Sequence, residues 1–197
     1  MTAPALFLSR RLRKSPFETR SHKGATGASV YNPGVLPSVY ASLEEDYWHL
    51  REHVQIWDVA CQRQVEIAGP DAAKLTQLLT PRDLRSLKVG QCFYVPIIDD
   101  NAGMINDPVL LKLDKNKFWL SIADSDLLLW VKGVAFGLGL DVEIFEPDVS
   151  PLAVQGPKGE ALMTDIFGDQ ILDIPFFGFK VIPMFGRSQV VARSGYS

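Results

Sequence analysis

The chain predicts an α+β fold: a split β-α-β, ferredoxin-like unit followed by a second, incomplete β-α-β-β unit. Two observations carry this reading. Val65-Glu-Ile-Ala-Gly-Pro-Asp-Ala-Ala-Lys-Leu-Thr-Gln-Leu-Leu79 and Leu152-Ala-Val-Gln-Gly-Pro-Lys-Gly-Glu-Ala-Leu-Met-Thr-Asp-Ile166 share one pattern: short strand, Gly-Pro corner, helix. After the first copy, apolar runs of strand length recur between turn clusters, then a helical stretch and one more strand follow.

Pro70 and Pro157 each occupy the first helical turn in this reading, where a missing N–H costs nothing. Ala72, Leu75, Leu78 and Leu79 fit one helix face, as do Ala161, Leu162 and Ile166. The first unit continues with strands over 91–98, 109–113 and 118–122, a helix over 126–136 and a strand over 141–145. Asp114-Lys-Asn-Lys117 supplies a hairpin turn, and Asp124 or Ser125 can cap the helix. The second unit runs through a strand over 152–154, a helix over 158–167 and strands over 179–183 and 189–193. By analogy with the first, it then lacks a helix and a closing strand, so the chain reads as the N-terminal part of a longer protein. An earlier helix runs from about Leu43 to Val54, opened by the capping box Ser42-Leu-Glu-Glu45, with Leu43, Tyr47, Leu50 and Val54 at helical spacing. The division is therefore 1–55, an N-terminal arm and helix joining the second unit; 56–147, the first α/β unit; and 148–197, the second unit, truncated.

Composition bounds the function. A hydrophobic fraction of 47% with 22% charged residues suits a soluble globular chain with a sizeable core. The net charge of −3 gives no argument for nucleic acid. Arg10, Arg11, Arg13, Lys14, Arg20 and Lys23 face only Glu18 near the N-terminus, and a solvated arm explains them more simply than an anion site. That segment lacks the apolar core and cleavage site of a signal peptide. Cys61 and Cys92 are the only cysteines, too few for a disulfide framework, so a reducing compartment is expected. The longest apolar run, 127–140, is interrupted by Lys132 and too short for a bilayer. A cytoplasmic protein without membrane attachment is expected.

The segment from Gly90 to Leu111 carries the first candidate chemistry. It reads as two strands joined by the turn formers Asp99-Asp-Asn-Ala-Gly103, with Asp107 at the start of the second strand. A carboxylate there can face a cleft while a rigid sheet holds it. Phe93 and Tyr94 point to opposite faces of their strand, so one of them can line a pocket for a flat ring or a cation. His49-Leu-Arg-Glu-His53 matches the H-x-x-E-H pattern of inverted zinc proteases, but no third ligand is visible and a polar helix face accounts for it. Gly137-Leu-Gly139 follows a helix and reads as its stop rather than as a phosphate loop. Cys61 reads as a buried structural thiol.

Taken together, these segments resemble the aminomethyltransferase family of the glycine cleavage system. Leu36-Pro-Ser-Val-Tyr40 resembles its M-P-x-x-Y, Val65-Glu-Ile-Ala-Gly-Pro-Asp-Ala72 its V-x-G-P-D-A, and Gly90-Gln-Cys-Phe-Tyr94 its G-x-x-x-Y. Leu152-Ala-Val-Gln-Gly-Pro157 is similar to L-A-L-Q-G-P, and Ala192-Arg-Ser-Gly-Tyr-Ser197 to S-R-T-G-Y-T. His53-Val-Gln-Ile-Trp-Asp-Val59 falls on the family's H-x-x-x-G-L-F-D-V-S region. Departures narrow the resemblance: Asn106-Asp107 stands for D-D, and Asp58-Val-Ala-Cys-Gln-Arg63 for D-V-S-H-M-G. Ser9-Arg-Arg, Tyr31-Asn32, Trp57-Asp-Val-Ala-Cys61, Ala123-Asp-Ser-Asp126 and Val142-Glu-Ile-Phe-Glu-Pro-Asp-Val-Ser150 look instead like the dimethylsulfoniopropionate demethylase branch.

The resemblance implies the aminomethyltransferase folate-binding fold, tetrahydrofolate as cofactor, and methyl transfer from dimethylsulfoniopropionate to give methylthiopropionate. It implies a site in which Asp107 is catalytic, Tyr94, Asp107 and Tyr196 meet the folate, and Tyr31 is the aromatic candidate for the sulfonium. The partner is then a small sulfonium molecule, and a homodimer is left open. The alternatives are a glycine-cleavage aminomethyltransferase, which needs a lipoyl carrier protein, and a non-catalytic folate-binding protein of the same fold. The family continues past G-Y-T into a segment whose Glu grips the pterin, so this fragment by itself is expected to hold an incomplete site.

Overall fold

Antiparallel pairing organises the chain, and the computed structural model describes residues 9–122 and 127–194. In chain order the elements are α1 (Glu18–Ser21), β1 (Gly27–Tyr31), β2 (Gly34–Val39), α2 (Leu43–Glu52), β3 (Gln55–Asp58), β4 (Gln64–Ala68) and α3 (Ala72–Leu79). Then come β5 (Cys92–Tyr94), β6 (Ile97–Ile98), β7 (Met104–Asn106), β8 (Val109–Asp114), β9 (Lys117–Ser121), α4 (Leu127–Gly137) and β10 (Glu143–Phe145). The second unit holds β11 (Leu152–Gln155), α5 (Gly159–Phe167), a 3₁₀ turn (Asp169–Ile171), β12 (Gly178–Met184) and β13 (Arg187–Arg193).

The first unit is a five-stranded sheet in the order β10-β4-β9-β8-β5. Side-chain alternation gives it two different faces. Val65, Ile67, Leu110, Phe118 and Leu120 point to the side covered by α3 and α4 and are almost fully buried there. Each such side chain contributes about 1.5–3 kcal/mol when removed from water. Helix α3 buries Ala72, Leu75, Thr76 and Leu79, and the Thr76 hydroxyl donates to Ala72 O at 2.8 Å, so its burial leaves no orphan. Leu78, expected on that face, is 56% exposed, because the stripe turns through Thr76 instead.

The other face carries Cys92, Leu111 and Trp119 against Phe179, Phe177 and Val190 of the second unit. The two units are stitched where Cys92 N donates to Phe177 O at 2.7 Å and Phe179 N to Gly90 O at 2.9 Å. Glu66 lies on this face, buried, and accepts from Trp119 Nε1 at 2.7 Å and Lys117 Nζ at 2.9 Å.

The Gly-Pro corners are β-turns immediately before the helices, so Pro70 and Pro157 stand one step outside the first helical turn. Ala72 N donates to Gly69 O at 3.1 Å and Gly159 N to Gly156 O at 2.9 Å. Both glycines have positive φ, +127° and +112°. A Cβ on Gly69 would meet Asp141 O at 2.8 Å, where the chain leaves α4 for β10; one on Gly156 would meet Leu50 O at 2.9 Å, where it leaves α2 for β3.

This correspondence corrects one expectation. The helix and closing strand that the second unit was expected to lack are supplied from upstream: β3 pairs antiparallel with β11, as β10 does with β4. By the same mapping β12 and β13 match β5 and β8. Among the described residues, the counterpart of β9, between β13 and β11, is the one without an equivalent.

Two helix faces also differ from expectation. Helix α2 begins as the capping box requires, with Glu45 N donating to Ser42 Oγ at 3.1 Å, but it buries no residue, and Leu43 and Tyr47 are exposed. Helix α5 turns Met163 and Phe167 toward Ile171, Ile174 and Ile182, while Ala161 and Ile166 face solvent. The capping candidates Asp124 and Ser125 lie outside the described residues.

Candidate functional site

The strand expected over 91–98 is broken at Val95-Pro96, and its return partner is broken at Asp107-Pro108. Pro cannot donate to a ladder, so each proline ends one pairing and starts another. The long hairpin therefore has two segments: β6 with β7 around the turn, and β5 with β8 in the main sheet. Asp99 builds the turn, its Oδ1 accepting from Gly103 N at 2.7 Å and Asn101 N at 2.9 Å, with Ala102 at φ +63°. Asp107 thus lies in the kink between β7 and β8 rather than at the start of a strand.

That kink brings two predicted residues together. The Tyr94 hydroxyl donates to Asp107 Oδ2 at 2.6 Å, and both side chains are half-buried. Tyr94 is held from behind: Arg82 Nη1 donates to Tyr94 O at 2.7 Å, and the Arg82 guanidinium stacks 4.2 Å from the Phe93 ring centre. A carboxylate with one oxygen engaged by a phenol keeps capacity on its second oxygen for an N–H donor.

Register places a second cluster at the same end of the sheet. Tyr94 pairs with Val109, Val109 with Ser121, and Ser121 with Gln64. Just beyond this row stand Asp107, Ile122 and Arg63. Strands about 4.8 Å apart put β4 roughly 10 Å from β8 across this end. Here a cavity of about 430 Å³ is lined by Arg11, Arg13, Asn32, Arg63, Ile122 and Glu146, among others. Glu146 Oε2 accepts from Arg13 Nη1 at 2.6 Å and stands 3.6 Å from Arg63 Nε. Arg63 Nε is buried and has no hydrogen-bond partner among the described residues.

Tyr31 ends β1 at the tip of the β1–β2 hairpin, 39% exposed, beside this cavity rather than in the Tyr94–Asp107 pair. The hairpin tip rests on Cys61: Asn32 Nδ2 donates to Cys61 O at 3.3 Å, and a Cβ on Gly34 would touch Cys61 Cβ at 3.0 Å. Burial pushes the half-buried Cys61 thiol up, with Asp58 adding to the shift, so it is neutral at physiological pH. Tyr196 lies outside the described residues. His49 and His53 stack at 4.9 Å, with His53 Nδ1 2.7 Å from Lys158 Nζ and His49 Nδ1 3.4 Å from Gln55 Nε2. No helix among the described residues is long and apolar enough to cross a membrane.

Sequence reasoning missed Arg63, Glu146 and Arg82. For Arg63 a signal existed: it replaces the glycine of D-V-S-H-M-G, a departure that puts a cation where the resembled family has none.

The GCVT N-terminal domain family matches over residues 17–197. The dimethylsulfoniopropionate demethylase DmdA of Ruegeria pomeroyi is 52% identical over 194 residues, covering 98% of this chain and 53% of that protein. An aminomethyltransferase of Staphylococcus epidermidis is 27% identical over 178 residues, 87% of this chain and 49% of that protein. The chain spans about half the length of the curated relatives it matches. The crystal structure of the glycine cleavage system aminomethyltransferase T from Bartonella henselae superposes with a TM-score of 0.82 at 22% identity, covering 94% of this chain and 51% of that one, which shows a shared fold. The chain belongs to the GCVT N-terminal domain family.

Proposed function

We propose that this chain carries the first part of the site of a tetrahydrofolate-dependent methyltransferase that takes its methyl group from dimethylsulfoniopropionate. The observation that carries the reading is the Tyr94–Asp107 hydrogen bond at the sheet end, in a chain 52% identical to a dimethylsulfoniopropionate demethylase along 98% of its length.

A sulfonium is a good methyl donor because its leaving group departs as a neutral thioether. The protein's task is alignment of the methyl carbon with the accepting nitrogen. Tetrahydrofolate supplies that nitrogen when bound. Asp107 accepts the N–H at that position, fixes its direction and takes up the proton released as the methyl arrives. Tyr94, pinned by Arg82, holds the carboxylate in one orientation.

The test is incubation of the chain, alone and extended by the C-terminal half of the Ruegeria relative, with tetrahydrofolate and dimethylsulfoniopropionate. Methyltetrahydrofolate and methylthiopropionate should appear in equal amounts from the extended protein. Turnover of an aminomethyl-loaded lipoyl carrier instead, with neither product formed, would assign the glycine-cleavage reaction.

A further inference from the structure

The Tyr94–Asp107 pair stands at a strand end that the sheet by itself holds weakly. Past Tyr94 the ladder continues only as Val95 N to Pro108 O at 3.0 Å, and Pro96 cannot donate. Cys92 N points to the outer edge of β5, where it donates to Phe177 O at 2.7 Å. Two residues on, Tyr94 turns its carbonyl to the same edge. There Arg82 Nη1 donates to Tyr94 O at 2.7 Å. The same guanidinium lies 4.2 Å from the ring centre of Phe93, which packs on the helix-side core, across the strand from the Tyr94 side chain. A planar group held at two points off the strand axis resists rotation about that axis. A small rotation there is amplified at the far end of the Tyr94 side chain, where the hydroxyl meets Asp107 Oδ2 at 2.6 Å.

Arg82 is itself fixed from helix α3. Gln77, in the last turn of that helix, closes both sides of the following turn: its Nε2 donates to Arg82 O at 2.9 Å, and its Oε1 accepts from Leu84 N at 2.9 Å. Arg82 N donates to Oγ1 of the buried Thr80 at 3.3 Å. Asp83, the acid next to Arg82, is held by Arg85, Nη2 to Oδ2 at 2.7 Å, so it does not draw Arg82 away from β5. We infer that Arg82, set by Gln77, is a positioning residue for the methyl transfer: it fixes the rotation of β5 that aims the Tyr94 hydroxyl, and through it orients Asp107. It acts on the reacting groups only through Tyr94. The inference rests on the proposed function for the reaction that the pair serves. Lysine at this position can donate to Tyr94 O but has no planar fork to stack on Phe93, so it replaces one of the two holds.

The experiment follows the ring Cζ signal of Tyr94 in the chain labelled with ¹³C-tyrosine, with no ligand added. Its loss in Tyr94→Phe assigns it, and Asp107→Ala shows where it moves when the pair is broken. In Arg82→Gln the signal should move toward its Asp107→Ala position, and in Arg82→Lys part of the way. Gln77→Met, which keeps Arg82 but frees its turn, should move it in the same direction. In the extended protein, kcat of Arg82→Gln should fall at least several-fold and up to about 10²-fold, with KM for both substrates unchanged. A Tyr94 signal that keeps its wild-type position in folded Arg82→Gln overturns the inference, and so does a loss of rate carried by KM. Should Arg82→Gln not fold, Arg82→Lys and Gln77→Met decide by the same two readouts. Absence of methyl transfer by the extended wild-type protein sinks the proposed reaction, while the Tyr94 signal still decides whether Arg82 sets the pair.

Discussion

The hydroxyl of Tyr94 donates to Oδ2 of Asp107 across a kink that two prolines create, 2.6 Å from oxygen to oxygen. The pair separates two roles that substitution can distinguish. Asp107→Asn keeps an acceptor for Tyr94 but removes the base, and general-base contributions run at roughly 10²–10⁴-fold in rate. Tyr94→Phe removes one hydrogen bond to a charged group, worth roughly 1.5–3 kcal/mol, and leaves the carboxylate able to accept a proton. Methyl transfer by the extended protein should fall by at least about 10² in Asp107→Asn and by clearly less in Tyr94→Phe. Initial rates showing equal losses would mean that the carboxylate has no action beyond its hydrogen bond with Tyr94.

The paired glycines predict where the fold does not tolerate a methyl group. Gly156 has φ +112°, and an added Cβ would collide with His53 O and Leu50 O; Gly69 repeats the arrangement at φ +127° against Asp141 O. Gly168 also has positive φ, +78°, but open space around it. Gly168→Ala should cost only the backbone strain, on the order of 1–3 kcal/mol. Gly69→Ala and Gly156→Ala should each cost more, because the clash is with backbone that cannot rotate away. Denaturant midpoints of the three variants decide it; equal destabilisation would show that the strands yield to make room.

How much of this was legible differs between local and distant relationships. The Gly-Pro corners, the N-cap at Ser42 and most strands of the first unit are local patterns and form where the sequence puts them, although Pro70 and Pro157 precede the first helical turn instead of occupying it. The break at Val95-Pro96 was also local, yet a continuous apolar run concealed it. The partnership of β3 with β11 was not legible, because nothing in Gln55–Asp58 states which distant strand it will pair with. Helix faces failed where packing is asymmetric: α2 and α5 each meet other elements over a small area, so apolar spacing alone chose the wrong stripe. For the site, Asp107 and Tyr94 were visible because turn chemistry and strand alternation converge on them. Arg63 and Glu146 meet only through the sheet register, and composition near the N-terminus made Arg11 and Arg13 look like a solvated arm.

The strand pairing among the described residues of the second unit predicts a contrast in hydrogen exchange. In β8 both edges are paired, with β5 and with β9, so its amides have partners on either side. In β13 the described pairing is to β12 alone, and in β11 to β3 alone. Amides of β8 should exchange only through global opening, whereas alternate amides of β13 and β11 should exchange orders of magnitude faster. Uniform protection across β8 and β13 would show that another strand already occupies that position.

Cys92 predicts an alkaline limit to stability. Its thiol is 1% exposed between the sheet and Phe179, and burial pushes its pKa up to about 12 from 9.0. Between these values the folded state keeps a proton that the unfolded state has lost. Stability is therefore fully present below about pH 9 and declines as pH rises, by up to about 1.4 kcal/mol per unit. Lysines and tyrosines titrate over the same range, so the contribution must be read as a difference. Cys92→Ala should be less stable than wild type near neutral pH, because it leaves a small cavity. Between pH 9 and 11 the gap should narrow, since the variant has no thiol to deprotonate on unfolding. Urea midpoints for both proteins at intervals across that range test this, and parallel curves would show that the Cys92 thiol titrates alike in both states.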